Sequence, residues 1–382
     1  MTHCRFEDRL LGEARVLTGL RARIEACSQQ ELPEAFARIV QAQKAGHWVG
    51  LLLDYELGEW FEPRLATHAE VTHPERTQTS TPRLTALVFD QMQIEAPWSN
   101  TQGNDNEPLL AEIASVAPLI TKEAYIKRIE QIREWIAQGE VYQINATFPL
   151  SVQVRGEAST LYKRIANKHP VGHAAFIEDG DRTVLSFSPE LFLARTGDCL
   201  TTRPMKGTAP RSADAAEDHA FRQGLVASGK NRAENLMIVD LLRNDLGRIA
   251  IPGTVTANPL FSLEKYPSVW TMTSTVQARI TPKTGLESIL KALFPCGSVT
   301  GAPKIAAMRR IQETEATPRG LYCGSIGWLA PNGDFSLNVA IRTLVLNDKN
   351  GNGLYHVGGG IVHDSDPEQE WEECHWKARI LA

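Results

Sequence analysis

The sequence predicts an α+β fold, with strand pairs and amphipathic helices interspersed instead of strictly alternating. Two patterns carry that prediction. Apolar, strand-like runs recur over 148–154, 183–195 and 325–328 and read as hairpin-type pairs. Helical periodicity marks 121–139, 158–168, 233–246, 287–293, 303–313 and 367–381. No repeat of about 20 to 50 residues and no low-complexity tract interrupts the mixture.

Bulk properties narrow the classes of function. The 382 residues suffice for one large domain or two ordinary ones. With 42% hydrophobic and 22% charged residues the balance is that of a soluble globular chain. A net charge of −5 gives no basic footprint for nucleic acid, so none is expected as a partner. The longest apolar runs fall far short of the roughly 20 residues of a membrane span, and the first eight residues lack the apolar core of a signal peptide. Six cysteines are scattered without a CxxC pair, which suits reduced thiols. The expectation is a cytoplasmic protein with no membrane partner.

In chain order, 34–44 reads as a helix and 48–54 as a buried strand. From about 70 to 106 the chain is rich in Thr, Pro, Asn and Gln, interrupted by one strand-like run over 84–89. The polar stretch 100–108 is the best linker candidate. It divides an N-terminal α/β portion, 1–110, integrated into the fold, from a catalytic portion, 111–382. The helix after it has Thr121 as cap, Ile126, Ile129, Ile132 and Ile136 as its stripe, and Gly139 as its stop.

Three segments can carry chemistry. In the helix over 233–246, Met237, Ile238, Leu241 and Leu242 bracket Glu234, which predicts a carboxylate mid-stripe on an apolar face. Such a group needs a cation, either a basic side chain or a metal. On the C-terminal helix, capped by Asp366 with Pro367 at its first position, Glu370, Glu373 and Lys377 fall in one row beside the Trp371–Cys374–Ala378–Leu381 stripe. That row reads either as a solvated face or as carboxylates for a hard divalent cation, with a lysine for a substrate carboxylate. The third segment is 203–211, where Lys206 precedes Gly207 between prolines. It is either a surface lysine or, if desolvated, an amine nucleophile. Nearby, Gly358-Gly359-Gly360 suits either a tight turn or a close approach of amides to an anion. The run from Gly297 to Lys304 offers hydroxyls and amides but lacks the ending of a phosphate-binding P-loop.

Together, Lys206-Gly207-Thr208-x-Pro210-Arg211, the run from Ala233 to Arg248, the run from Gly297 to Lys304, and Gly358-Gly359-Gly360-Ile361-Val362-x-Asp364-Ser365-Asp366 occur in the order found in the chorismate-utilising enzymes. This chain resembles that family strongly over about 120–382. The resemblance implies a single large fold, with two mainly antiparallel β-sheets packed face to face and helices outside. It also implies roles. Glu234 and Glu373, with Glu370 beside them, match magnesium-binding carboxylates, so the expected cofactor is Mg2+. Glu190 matches a general acid that protonates a departing hydroxyl. Tyr322 and Arg342 match holders of the enolpyruvyl carboxylate, Gly358 to Gly360 a carboxylate-contacting loop, and Lys377 a group near the metal. Gln143, Thr208, Ser298, Thr300 and Gly301 fall among substrate-contacting positions.

The branch within the family turns on two positions. Members that make anthranilate or salicylate carry alanine where this chain has Lys206, whereas aminodeoxychorismate-forming members carry lysine. Isochorismate-forming members carry a water-activating lysine where this chain has Gln143, and an amide cannot be that base. The resemblance therefore implies amination of chorismate through a covalent Lys206 intermediate, toward 4-aminobenzoate and folate. The alternatives are anthranilate synthesis or a non-catalytic chorismate-binding regulatory relative. No cysteine lies in the Gly-x-Cys-x-Gly turn of a class I glutaminase, so ammonia is expected from a separate glutaminase subunit. Thr271 replaces a histidine of the anthranilate branch, and Cys296 stands where glycine is common.

Overall fold

The structure is a computed structural model and describes residues 2–72, 81–99, 111–180, 182–267, 269–347 and 349–382. The linker candidate over 100–108 lies outside these residues. Among the described residues seventeen strands form one hydrogen-bonded sheet, sixteen in a continuous run and the two-residue strand Gly301–Ala302 beside Gln143–Gly156, and every pairing is antiparallel.

One half of the run proceeds from Ala111–Pro118 through Gln143–Gly156, Asn352–Ile361, Thr343–Leu346, Arg182–Ser188 and His173–Asp179 to His3–Asp8. A tight turn leads from His3–Asp8 into Glu13–Ala26, which opens the other half. That half continues through Leu84–Glu95, Trp48–Leu53, Ser325–Leu329, Phe335–Asn338, Leu191–Thr196 and Cys199–Arg203 to Val276–Arg279 and Thr256–Ala257. The halves face each other across a shared core. Cys4, Phe6, Ala175, Ile177 and Val184 of the first pack with Leu52, Leu87, Phe89 and Ile326 of the second. The approach is close, since a Cβ on Gly50 would stand 2.8 Å from Cys4 Sγ. The two sheets foreseen from the sequence are thus two layers joined by hydrogen bonds at the His3–Asp8 turn. The N-terminal strands sit in the middle of the run, so their buried residues pack into the same two apolar clusters as those of the later strands.

Helices cover the outer faces. Lys122–Ala137 is capped as expected, with the Thr121 side chain accepting from the Ala124 amide. It buries Tyr125, Ile129 and Ile132. Leu32–Lys44, Ala158–Lys168, Leu286–Leu293 and Lys304–Thr314 fall where periodicity placed them. Ala215–Ala227 was not foreseen, because its single buried residue, Leu225, leaves almost no apolar stripe to read. A separate three-stranded sheet, Met205–Pro210, Val269–Thr273 and Ser262–Lys265, flanks the large one. The strand-like stretch 183–195 is two strands, Arg182–Ser188 and Leu191–Thr196, broken at Pro189-Glu190. Proline cannot donate to a ladder, and the break leaves Glu190 facing inward. Among the described residues no helix is long and apolar enough to cross a membrane.

Candidate active site

Three elements converge on one cavity of about 390 Å³, within the range of small-molecule sites. The first is the strand Met205–Pro210. Its pairing with Val269–Thr273 slips between Met205 and Thr208, so Lys206 and Gly207 sit on a bulge. Gly207 takes φ +90°, and a Cβ there would stand 3.1 Å from Asn231 Cβ. The bulge turns Lys206 into the cavity, where its Nζ makes no hydrogen bond or ion pair with the described residues. Burial lowers its pKa, opposed chiefly by Glu234 and reinforced by Lys377. Thr208 stands at the exposed rim.

The second element is the helix Gly229–Gly247, capped by the Ser228 side chain on the Asn231 amide. Its buried face is Asn235, Ile238, Val239, Leu242, Asp245 and Leu246. Glu234 is therefore not mid-stripe, as periodicity suggested. It stands half-buried at the edge of the stripe, in the cavity wall. The helix rotates so that Asn235 is the buried polar residue, accepting from Ser274 Oγ at 2.6 Å. Lys230 and Asn231 precede Glu234 by four and three positions and share its cavity-facing side. Sequence reasoning missed both because it began the helix too late; Ser228 as an N-cap was the signal.

The third is the helix Pro367–Ala378, capped by Asp366 on the Gln369 amide. Its row of Glu370, Glu373 and Lys377 faces the cavity. Lys377 Nζ is 2.7 Å from Glu373 Oε1 and donates to Gly358 O at 2.7 Å. Lys377 holds the Glu373 carboxyl below its ordinary range. Burial raises Glu370, which accepts from Ser365 Oγ at 2.7 Å. The glycine triplet is not a turn. It runs mid-strand along Asn352–Ile361, opposite Thr147, Ala146 and Asn145. The glycines make room: a Cβ on Gly359 would lie 2.9 Å from Glu370 Oε2.

The remaining wall carries Glu190, Ser298, Tyr322 and Arg342. Glu190 is buried and raised to about 7, by burial above all, against the pull of Ser298 and Lys206. Its Oε1 has no hydrogen-bond partner among the described residues. Arg342 holds a left-handed backbone, φ 51°, and its guanidinium makes no hydrogen bond or ion pair with the described residues, leaving it free for a carboxylate. Tyr322 stacks on His356 at 5.2 Å between ring centres. Asn145, Tyr355 and His356 also line the wall and carried no sequence signal, being strand residues among many.

Three residues foreseen as substrate contacts are not brought to the cavity wall. The Thr300 hydroxyl donates to the carbonyls of Cys296 and Gly297, closing its own turn. Gly301, at φ 149°, packs so tightly that a Cβ would lie 2.1 Å from Gln143 O. Gln143 is wholly buried behind Lys206.

For a metal, the cavity offers Glu234, Glu370 and Glu373 as donors. Among the described residues no three His, Cys, Asp or Glu side chains form a ready-made cage. Magnesium is commonly held by one or two carboxylates with waters and substrate oxygens, so this sparse set fits it. The cavity thus pairs acidic residues on two helices with Lys206, Lys377 and Arg342. It can take a dianion, hold a metal and present an amine beside an acid.

Comparison with known proteins bears on this cavity. A family model described as chorismate binding enzyme matches residues 4–382. Aminodeoxychorismate synthase component 1 of Klebsiella aerogenes is 38% identical over 77% of this chain and 65% of that protein, just under two thirds of its length. The Bacillus subtilis protein of that name is 33% identical over 78% of this chain and 70% of its own. Anthranilate synthase component 1 1 of Haloarcula marismortui is 33% identical over 84% and 66%. Among solved structures, anthranilate synthase component I from Streptococcus pneumoniae TIGR4 superposes with a TM-score of 0.81 at 24% identity, covering 99% of this chain and 92% of that one. This last likeness establishes the fold.

Proposed function

Because the chain belongs to the chorismate binding enzyme family, we propose that it replaces the 4-hydroxyl of chorismate with an amino group, giving 4-amino-4-deoxychorismate for 4-aminobenzoate and folate synthesis. The observation that carries this reading is Lys206, a half-buried amine turned into the cavity that Glu190 also lines, with no hydrogen bond or ion pair among the described residues. Its lowered pKa increases the neutral, nucleophilic fraction, and the raised pKa of Glu190 keeps a transferable proton near neutrality.

The neutral Lys206 nitrogen attacks ring C2. The C1–C2 and C5–C6 π bonds shift around the ring, and the C4–O bond breaks as Glu190 protonates the leaving hydroxyl to water. The alkylated nitrogen loses a proton, leaving a secondary amine on C2. Ammonia then bonds to C4, the π bonds shift back, and the C2–N bond to Lys206 breaks with return of a proton to the lysine. Arg342 and Tyr322 hold the enolpyruvyl carboxylate, and Lys377 with the Gly358–Gly360 backbone faces the ring carboxylate. Glu234, Glu370 and Glu373 would hold a magnesium ion, which when bound supplies a charge anchor for that carboxylate. Ammonia comes from a separate class I glutaminase subunit, in keeping with the component 1 names of the relatives, and the setting is cytoplasmic.

Similarity to the Haloarcula protein favours one other reading, anthranilate synthesis. Incubation with chorismate, magnesium and ammonium separates the two. 4-Amino-4-deoxychorismate is expected, and anthranilate as the product would overturn the assignment.

A further inference from the structure

Gln143 is wholly buried, and neither its Oε1 nor its Nε2 has a hydrogen-bond partner among the described residues. A carboxamide orphaned at both ends is rare in a protein interior. Its backbone does not explain it, since the residue opens the strand Gln143–Gly156 and pairs normally with Ala302. The neighbour of that amide is informative. A Cβ on Gly360 would lie 3.0 Å from Gln143 Nε2 and 3.0 Å from Lys206 Nζ. Both nitrogens therefore border the same small space, which the absence of a side chain at Gly360 keeps open. Gln143 is absent from the cavity wall, whereas Lys206 is part of it.

We propose that Gln143 is a positioning residue for Lys206, its carboxamide oxygen accepting a hydrogen from the Nζ amine and so aiming the nitrogen lone pair into the cavity. A half-turn of the amide exchanges Oε1 and Nε2 and brings an acceptor to the amine. The residue type suits the task. A carboxylate there would favour the charged ammonium, which has no lone pair, and a lysine would compete with Lys206 as a nucleophile or base. An amide accepts a hydrogen without holding a proton. The inference rests on Lys206 being the nucleophile, and it assigns Gln143 to the enzyme's own amine instead of to substrate.

The test compares wild type with Gln143→Leu, Gln143→Glu and Gln143→Asn. Three readouts apply: the single-turnover rate of adduct formation on Lys206 from chorismate without ammonia, steady-state kcat and KM for chorismate, and thermal unfolding. Leucine removes two unpaired polar atoms at similar volume, so Gln143→Leu melts at or above the wild-type temperature. Its adduct rate and kcat fall together by about 10- to 100-fold, the order expected for a misaimed reactive group, with KM for chorismate little changed. In Gln143→Glu the pH at which adduct formation reaches half its maximum moves upward. Gln143→Asn, one methylene shorter, recovers part of the rate lost in the leucine variant. The proposal is overturned if Gln143→Leu forms adduct at the wild-type rate, or if KM rises while kcat holds, which would make Gln143 a substrate contact. Wild type forming product without any Lys206 adduct would sink the underlying reading as well, and so is distinguishable from failure of this inference alone.

Discussion

Replacing Glu190 with glutamine should make the protein more stable and less active, with the stability gain growing from about pH 4.3 and reaching full size above about pH 7. Glu190 is 4% exposed, and burial lifts its pKa from 4.5 to about 7, against the pull of Ser298, Lys206 and Arg342. An acid raised on folding contributes most stability where folded and unfolded states are both protonated, below about pH 4.3. That contribution is lost as pH rises through the folded value. At about 1.4 kcal/mol per pH unit, the rise corresponds to about 3 kcal/mol of destabilisation above pH 8. Glutamine keeps the shape and cannot ionise. Glu190→Gln should therefore exceed wild type by up to about 3 kcal/mol in urea unfolding at pH 8, with the difference vanishing near pH 4. Loss of the proton donor should lower kcat by about 10²- to 10⁴-fold, or roughly 3–5 kcal/mol of barrier. Chorismate consumption at pH 7 supplies the second readout. Equal unfolding midpoints at pH 8, or a variant retaining most of the wild-type kcat, would refute the account of Glu190 as a buried, protonated acid.

Other substitutions separate structural from chemical roles. Gly360→Ala should fold, because the atoms nearest its Cβ are the movable ends of Lys206 and Gln143, yet lose at least about 10-fold in kcat through displacement of the amine. Gly301→Ala should instead cost more than about 3 kcal/mol or fail to fold, since its Cβ runs into the Gln143 carbonyl at a φ that side chains avoid; soluble yield and melting temperature decide. Thr300→Val removes hydroxyl bonds to Cys296 and Gly297, so about 1–2 kcal/mol of stability should go, while kcat and KM stay near wild type. Glu373→Gln should raise the magnesium concentration for half-maximal turnover by about 10-fold or more, with little change in melting temperature because the carboxylate is 54% exposed.

What the sequence disclosed follows from which interactions are local. Thr121, Asp366 and Pro367 marked helix starts because capping is settled within one turn. Glu370, Glu373 and Lys377 could be aligned because helical spacing alone puts them in a row. Glu234 was misplaced by a fraction of a turn, since side-chain periodicity ranks apolar residues and cannot tell that Asn235 finds a buried partner in Ser274, far along the chain. Long-range geometry was hidden altogether. Nothing local says that the Glu13–Ala26 strand joins two layers, or that Arg319 donates to the carbonyls of Val299 and Asn145. The glycine triplet looked equally like a turn until its strand partners were known. Thr300, Gly301 and Gln143 were grouped with substrate contacts by resemblance, while in the fold the Thr300 hydroxyl closes its own turn, Gly301 packs against the Gln143 backbone and the Gln143 side chain lies outside the cavity wall.

The central claim is that a desolvated Lys206 amine attacks a chorismate ring held in the cavity. Its most direct test is peptide mapping by mass spectrometry after exposure to chorismate and magnesium in the absence of ammonia. The account predicts an adduct on the peptide carrying Lys206 with the mass of chorismate less one water, discharged when ammonium is added. An unmodified Lys206 peptide from an enzyme that nonetheless makes 4-amino-4-deoxychorismate once ammonium is supplied would contradict it.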